Sequence, residues 1–371
     1  MAATEDAPSG LRHGTPTDAG FDSRRLANVW DLLDTWQRDG LVPGATIAIA
    51  RNGVQLESRA FGSGLNSGNR SPMVPDQVFL VASVTKPVTA IAVMQLVERG
   101  LICLSDPVAQ HVPEFVGPGK ERIRIEHLLT HTSGLPDMLP ANEALRSRQA
   151  QLPEFVREVC SCDLLFPAGT RVSYQSMGTL LAGEVVERIT GRPLRQVMEE
   201  EIFLPLQMGS TALGMRQDLA SRATDVNLPD EQMASRYHWN TEYWQGLGAP
   251  WGGMFSTVDD IVRLLAATLS GGALAGGRIL GAATNRASIS DRTEGMPGLS
   301  EQDRRKRRWG LGWRLGAWGE LDSPRSFSHG GATGTLVGAD PHTGLMCAVF
   351  TTQPGAPLQK AVTAVQAAVL E

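Results

Sequence analysis

The sequence has no long apolar run. No stretch of its 371 residues approaches the eighteen or so consecutive apolar residues that a membrane-spanning helix needs. The first thirteen residues contain no apolar segment of the length found in secretory signal peptides. We therefore expect a cytoplasmic protein with no membrane partner.

Cysteine is scarce. There are four, and the one close pair, Cys160 and Cys162, is too tight for an ordinary disulfide. Neither the cysteines nor the seven histidines reproduce a zinc pattern such as C-x-x-C or H-E-x-x-H. The sequence therefore predicts no metal site and no other cofactor.

Positive charge is not in excess either. A formal net charge of −5 and a pI near 5.9 argue against nucleic acid as a partner. The one basic cluster, residues 304–308, lies beside Glu301 and Asp303, which favours a solvated loop over a binding patch. A small molecule is the expected partner, and the oligomeric state stays open.

Strand-like segments near both ends of the chain flank a long helical region. An amphipathic helix is predicted at 21–39, and two strands at 45–50 and 54–61 surround the Arg51-Asn52-Gly53 turn. Helical segments include 87–99, 125–130, 177–190 and 257–269. Strands resume at 310–318, 326–328, 334–337 and 345–352, before a closing helix at 358–370.

This order predicts an α+β fold, in which an antiparallel sheet flanked by helices carries a mostly helical insertion. The predicted division is a polar leader at 1–20, an α/β lobe formed by 21–104 and 288–371, and a helical lobe at 105–287. The functional site is expected between the two lobes.

Ser83-Val84-Thr85-Lys86 joins a strand-like run at 78–81 to the helical segment at 87–99. Helix residues three apart share a face, with Cβ atoms about 5–6 Å apart, so the Lys86 amine can reach the Ser83 hydroxyl. A serine hydroxyl becomes a good nucleophile only when a neighbour takes its proton, and a lysine can do so when its pKa is lowered. Alone, the motif is also compatible with an N-capping serine and a solvated lysine.

Two later segments carry further candidates. Tyr174 lies between a turn at 166–170 and a helical segment, where its phenol can project into a cleft and become a phenolate or relay a proton. A locally packed tyrosine is the alternative. The glycine-rich segment 327–335 can present a backbone N–H as one half of an oxyanion hole, with the Ser83 N–H as the other half. A glycine-rich turn with an incidental histidine is the alternative there.

In this order, Ser83-Val84-Thr85-Lys86, Tyr174-Gln175-Ser176 and His329-Gly330-Gly331 resemble the three motifs of the serine β-lactamase and penicillin-binding-protein superfamily. Residues 128–135, 187–191 and 252–257 are similar to segments of its class C-like branch. The resemblance runs from about Gly14 to the end of the chain.

The resemblance implies that Ser83 is the acylated nucleophile and that Lys86 activates it. Tyr174 would be the general base or a proton relay, and the N–H groups of Ser83 and Ala332 would form the oxyanion hole. The residues expected to bind substrate are Ser176, His329, Gly330, Gly331 and Trp251. Trp251 closes the aromatic-rich segment 237–251, which can wall a pocket for an apolar group or serve packing alone.

Two departures from the family pattern bear on the substrate. Ser176 stands where asparagine is common, and His329-Gly330-Gly331 replaces Lys-Thr-Gly. A lysine offers a permanent charge to a substrate carboxylate, whereas a histidine is at best partly charged near neutrality. Both changes favour family VIII carboxylesterases and related peptidases or acyltransferases over an efficient β-lactamase.

The predicted function is therefore a serine hydrolase that forms an acyl-enzyme on Ser83, acting as a carboxylesterase on small or apolar acyl esters. No G-x-S-x-G pentapeptide offers another nucleophile. Alternatives are a D-amino-acid peptidase or amidase, an acyltransferase, a weak β-lactamase, and a non-catalytic ligand-binding relative. The intact Ser83, Lys86 and Tyr174 set disfavours the last. His127 and His131 are interpreted as structural caps or core polar groups.

Overall fold

The structure is a computed structural model that describes residues 10–296 and 298–370. Its α-helices, in chain order, are α1 Ser23–Arg38, α2 Thr85–Glu98, α3 Val108–His111, α4 Ile125–Leu129, α5 Asn142–Ser147, α6 Leu152–Ser161, α7 Met177–Thr190, α8 Leu194–Met198, α9 Asp230–Met233, α10 Glu242–Leu247, α11 Val258–Leu269, α12 Ala282–Ser288, α13 Glu301–Lys306 and α14 Leu358–Ala367. Its strands are β1 Arg12–His13, β2 Gly44–Arg51, β3 Val54–Gln55, β4 Arg59–Asn66, β5 Asn69–Pro72, β6 Phe79–Leu80, β7 Ala212–Leu213, β8 Met254–Ser256, β9 Ala273–Leu274, β10 Gly277–Arg278, β11 Arg314–Leu315, β12 Phe327–Gly331, β13 Thr335–Asp340 and β14 Leu345–Thr351.

Nine of the described strands form one sheet that joins the two ends of the chain. Its order is β1-β3-β2-β14-β13-β12-β11, with β4 also paired to β2 and β5 paired to β4. At the centre, β2 from the N-terminal part runs antiparallel to β14 from the C-terminal part, with Ala48 opposite Ala348. The predicted α+β fold, with sheet strands drawn from both ends, is confirmed.

Helices cover both faces of this sheet. On one face, α1 and α14 pack against each other and against the strands, through apolar side chains such as Val29, Leu33 and Val362. On the other face, α11 packs against β2, β13 and β14. The predicted helices at 21–39, 177–190 and 257–269 are confirmed as α1, α7 and α11.

Two elements lie on the sheet although the predicted division placed them elsewhere. Strand β1, within the predicted leader, pairs with β3, and α11, within the predicted helical lobe, packs on the central strands. The division into two lobes stays a prediction. We propose that both elements belong with the lobe that carries the sheet.

The strand predicted at 310–318 is wrong over most of its length. Only Arg314–Leu315 pairs, with β12, while Gly312 adopts a φ of +83°. The N–H groups of Leu311 and Gly312 donate to the carbonyls of Ser288 and Leu129 instead of to a neighbouring strand. This segment is therefore hydrogen-bonded to helical parts of the molecule. Periodicity along the chain gives no information about such long-range contacts.

The basic cluster is likewise not a simple loop. Residues 301–306 form α13, which begins where the Ser300 hydroxyl accepts the Asp303 N–H. Arg308 donates to Asp291 at 2.7 Å.

No described helix is long and apolar enough to cross a membrane.

Helix α2 positions the site, because it is buried on almost every side. Twelve of its fourteen residues are buried, since apolar residues occupy all of its faces instead of one stripe. The side chain of Lys86, in its first turn, is consequently enclosed. Residues 81–84 connect the helix to β6, which pairs with β8 in a separate three-stranded sheet.

Candidate active site

Ser83 lies in the short 3₁₀ turn Ala82–Val84, immediately before α2. Ala82 adopts a φ of +45°, a left-handed conformation that costs energy in a residue other than glycine. The turn is held by Thr85, whose hydroxyl donates to the Ala82 carbonyl at 2.6 Å and accepts the Met254 N–H at 3.0 Å. The surrounding structure therefore fixes the strained turn that presents the Ser83 hydroxyl.

The amine of Lys86 lies in hydrogen-bonding reach of Ser83. Its Nζ is 2.9 Å from Ser83 Oγ and 2.9 Å from the carbonyl oxygen of Trp251. Lys86 is only 2% exposed, and this burial lowers its pKa from 10.5 to about 7, although the charge of Asp137 acts in the opposite direction. Near neutral pH, Lys86 is consequently an uncharged amine in a large fraction of the molecules.

Tyr174 completes the group. The Lys86 Nζ lies 4.7 Å from the centre of the Tyr174 ring. Burial of the hydroxyl raises the pKa of Tyr174 well above its usual range, although the neighbouring Ser83 side chain acts to lower it. The side chain is thus a protonated phenol, even though 38% of the residue is exposed. The structure brings Ser83, Lys86 and Tyr174 into one cluster.

Two threonines bring the end of β12 against the serine turn. Thr333 donates to the Leu80 carbonyl at 2.6 Å, and Thr335 donates to the Val81 carbonyl at 3.0 Å. These bonds place the loop that contains Ala332 beside the backbone that leads into Ser83. The Ala332 N–H has no acceptor within the described part of the chain, as an oxyanion-hole donor requires.

The glycines of this segment make room for protein backbone. A Cβ on Gly331 would lie 2.3 Å from the Val81 carbonyl oxygen, so only glycine permits this close approach. Gly334 has a φ of +93°, and its Cβ would lie 2.3 Å from the Gln353 carbonyl oxygen. Gly330 is not crowded, with a nearest neighbour at 3.7 Å.

His329 is neutral rather than partly charged. Its Nδ1 lies 2.8 Å from the Gly330 carbonyl oxygen, and because a carbonyl only accepts, Nδ1 carries the proton. Burial, followed by the charge of Lys86, lowers its pKa to about 3. With 4% exposure it offers no positive charge to a substrate at neutral pH.

The Ser176 hydroxyl is hydrogen-bonded to a residue that the sequence did not identify as part of the site. It is 2% exposed, and its hydroxyl donates to Asp137 Oδ1 at 2.6 Å. Asp137 therefore supplies a carboxylate next to the cluster, where its charge acts on both Lys86 and Tyr174. Thirty-nine residues separate the two partners along the chain, and Asp137, unlike Ser176, forms part of none of the three motifs.

Trp251 contributes its main chain. Its indole is 2% exposed and packs near Phe155 and Trp244, with ring centres 5.9 and 6.4 Å apart. The side chain expected to contact substrate is therefore enclosed by protein, and we propose that Trp251 acts through its main chain. Its carbonyl oxygen orients Lys86 instead.

His131 holds the backbone on both sides of Tyr174. Its carbonyl accepts the Ser173 N–H at 2.9 Å, and its Nδ1 accepts the Gln175 N–H at 3.1 Å. Its ring centre lies 4.6 Å from that of Tyr174, and its φ is +58°. His127 differs, since its Nδ1 accepts the Arg124 N–H at the start of α4, which confirms the predicted cap.

Comparison with known proteins agrees with this geometry. The family model described as Beta-lactamase matches residues 28–370. The chain belongs to the β-lactamase family. It is thus a serine hydrolase of the β-lactamase and penicillin-binding-protein group, and the resemblance found in the sequence is confirmed.

The relatives of this β-lactamase-family protein include an esterase. It is 32% identical over 285 residues to Esterase EstB of Burkholderia gladioli, which covers 68% of this chain and 72% of EstB. A penicillin-binding-protein homologue from Caulobacter crescentus superposes with a TM-score of 0.77 at 24% identity, covering 94% of this chain and 99% of that one. A family VIII carboxylesterase superposes with a TM-score of 0.75 at 22% identity, covering 94% and 98%. The two structural likenesses show the fold.

Proposed function

We propose that this protein is a carboxylesterase that hydrolyses esters of small or apolar acyl groups through an acyl-enzyme on Ser83. The observation that carries the proposal is the buried Lys86 amine, 2.9 Å from Ser83 Oγ and with a pKa near 7. A base that is uncharged near neutral pH is what a serine nucleophile needs.

In the acylation step, the Lys86 amine takes the Ser83 proton as Oγ attacks the ester carbonyl carbon. The Trp251 carbonyl accepts one Nζ–H, which leaves the nitrogen lone pair available to the serine. The N–H groups of Ser83 and Ala332 stabilise the negative charge on the former carbonyl oxygen, by about 3–4 kcal/mol each. The intermediate collapses when the bond to the leaving alcohol breaks.

Tyr174 acts as a proton relay in this scheme. Its raised pKa keeps the phenol protonated, so it can pass its proton to the leaving oxygen and regain one from the lysine ammonium. Water then attacks the acyl-enzyme and reverses these transfers, releasing the acid and restoring the Ser83 hydroxyl. The alternative role of Tyr174 as a phenolate base is disfavoured by the same pKa shift.

The choice of esters over β-lactams rests on charge. The neutral His329 cannot hold a carboxylate next to the scissile bond, and Asp137 places a negative charge next to the cluster. A neutral ester has no carboxylate, so neither the neutral His329 nor the charge of Asp137 weakens its binding by much. The esterase activity named for EstB supports the same choice.

The test compares kcat/KM for p-nitrophenyl butyrate and a chromogenic cephalosporin. We expect the ester to be favoured by about a hundredfold or more, a difference of about 3 kcal/mol in transition-state stabilisation. Ser83→Ala should abolish ester turnover, whereas Ser161→Ala, at an exposed serine of α6, should leave it intact. Equal turnover of both substrates would favour the β-lactamase alternative.

A further inference from the structure

Asp137 presents a carboxylate at the protein surface next to the catalytic cluster. Residues 131–136 of the same loop are buried, and Asp137 is the first exposed residue after them. Its Oδ1 accepts the hydroxyl of Ser176, which is 2% exposed and lies immediately before α7, at 2.6 Å. Because the preceding loop and the bonding partner are both enclosed, the carboxylate is held in one place although it faces solvent.

Solvent also reaches the cluster itself. Ser83 is partly exposed and Tyr174 is 38% exposed, while Lys86 is enclosed behind them. The charge of Asp137 acts on the pKa of Lys86 and on that of Tyr174, so the carboxylate is within electrostatic range of both. An ester bound at Ser83 therefore lies in the field of Asp137.

No cation of the described residues neutralises this carboxylate. Its Oδ2 makes no hydrogen bond or ion pair within the described part of the chain. Lys86 loses its charge near neutral pH. Arg146 comes close to the same loop, with Nη2 3.9 Å from the Met138 sulfur, but its Cζ is stacked 4.4 Å from the centre of the Trp244 ring. Asp137 therefore keeps a free oxygen and an uncompensated charge.

Arg314 is the competing charge. It is exposed on β11, and its charge contributes to the lowered pKa of the neutral His329. Of the described charges, however, Asp137 acts on both Lys86 and Tyr174, whereas Arg314 acts on neither. The negative charge of Asp137 therefore dominates at the reacting groups, and a positive charge on the substrate is its complement.

We propose that Asp137 selects esters that carry an ammonium group, which pairs with its free Oδ2 while the ester carbonyl lies at Ser83. The proposal rests on the esterase function proposed above and names its substrate class. The ammonium can belong to the acyl part or to the alcohol, and the test has one arm for each. A quaternary ammonium is the sharpest probe, because it has no N–H and isolates the effect of charge.

The test compares each cationic ester with its carbon isostere, in which a tert-butyl group replaces trimethylammonium. The alcohol arm uses butyrylcholine, and the acyl arm uses the p-nitrophenyl ester of γ-trimethylammoniobutyric acid. Each kcat/KM is divided by the rate constant for hydrolysis of that ester by hydroxide, which removes differences in intrinsic reactivity. We expect the cation to be favoured by about fivefold in one arm, the upper value for an ion pair that solvent still reaches.

The variants are compared at about pH 8.5, where Lys86 is largely uncharged, so a shift of its pKa does not affect the comparison. Asp137→Asn should remove the preference, and Asp137→Glu should keep part of it. Asp34→Asn, which removes an exposed carboxylate of α1, should retain it. In the wild type the preference should also shrink as the ionic strength rises from about 0.05 to about 0.5 M.

Three results would overturn the proposal. They are equal corrected values within both pairs for the wild type, a preference that salt does not weaken, and a preference that survives Asp137→Asn. The first two need no variant, so they decide the matter even if Asp137→Asn does not fold.

A binding measurement separates this proposal from the esterase function itself. Both pairs of esters are titrated calorimetrically into Ser83→Ala, which should bind the cationic member of one pair about fivefold more tightly than its isostere. Such binding without turnover of any ester by the wild type would count against the esterase proposal alone. Turnover of the neutral esters with equal binding within both pairs would overturn the Asp137 proposal alone.

Discussion

At the scale of single residues, the chemistry depends on the protonation of Lys86. The burial of α2 lowers the pKa of Lys86 to about 7, and Asp137 keeps it from falling further. Because only the uncharged amine can take the Ser83 proton, activity requires the deprotonated form. The burial that a stable core needs is thus also what makes this lysine a base.

The pH dependence follows from this shift. We expect kcat/KM for p-nitrophenyl butyrate to rise as the pH increases through about 7 and then to level off, since Lys86 is protonated below that value. Asp137→Asn removes the charge that raises the lysine pKa, so the rising limb should move to lower pH. A kcat/KM that falls as the pH increases through about 7, or a profile whose midpoint moves to higher pH in Asp137→Asn, would contradict this assignment.

His131 provides a second prediction at this scale. Asn at this position can accept the Gln175 N–H in place of Nδ1 and tolerates a positive φ, whereas Phe keeps a ring but leaves that N–H unpaired. We expect His131→Phe to lower kcat by about 10- to 100-fold with a smaller change in KM, and His131→Asn to recover most of the loss. Since burial keeps the imidazole uncharged, neither variant should move the pH limb.

Thermal unfolding of the same variants distinguishes positioning from stability. An unpaired buried N–H costs about 1–3 kcal/mol, so His131→Phe should also melt at a lower temperature. If kcat per folded molecule stayed unchanged while the melting temperature fell, His131 would support the fold without orienting Tyr174.

At the scale of elements, the decisive contact is the approach of β12 to the turn before α2. Thr333, Thr335 and Gly331 set that approach, and through it the position of the Ala332 N–H. The sequence predicted a glycine-rich strand near Ser83 but not these threonine bonds. The bonds join residues about 250 positions apart, and no local pattern reports a contact of that range.

Gly331→Ala tests this approach. Its Cβ would lie 2.2 Å from Thr335 Oγ1 and 2.3 Å from the Val81 carbonyl oxygen, so β12 must move away and take Ala332 with it. We expect a loss in kcat of about 10- to 100-fold, comparable to losing much of one oxyanion donor, together with a lower melting temperature. Gly330→Ala, with 3.7 Å of clearance, should cost much less in both measurements. Equal effects of the two variants would show that the crowding at Gly331 is unimportant.

At the scale of the whole molecule, local patterns predicted elements well and long-range packing poorly. The apolar periodicity of α1 and α11 and the strand-like segments near both chain ends were sufficient to predict the sheet and its flanking helices. The segment 310–318 looks like a strand but bonds to helical regions, because its tryptophans are buried by tertiary contacts. Asp137 gained its significance only from Ser176, a neighbour that lies far away in the sequence.

The same limit applied to the site. The spacing of Ser83 and Lys86 on one helical turn predicted their contact, and the order of the three motifs predicted which tyrosine would join them. Spacing carried no information on burial, however. The neutral state of His329 and the enclosure of Trp251 therefore emerged only with the packed molecule.

The central claim is that Ser83 carries the acyl group during ester turnover. The most direct measurement mixes the protein with p-nitrophenyl butyrate, quenches the reaction in acid within the first turnovers, and maps the butyryl adduct by peptide mass spectrometry. The account predicts one adduct, on the peptide containing Ser83, that decays as the substrate is exhausted and is missing from Ser83→Ala. A butyryl group on another residue, or undiminished turnover with no adduct in Ser83→Ala, would contradict it.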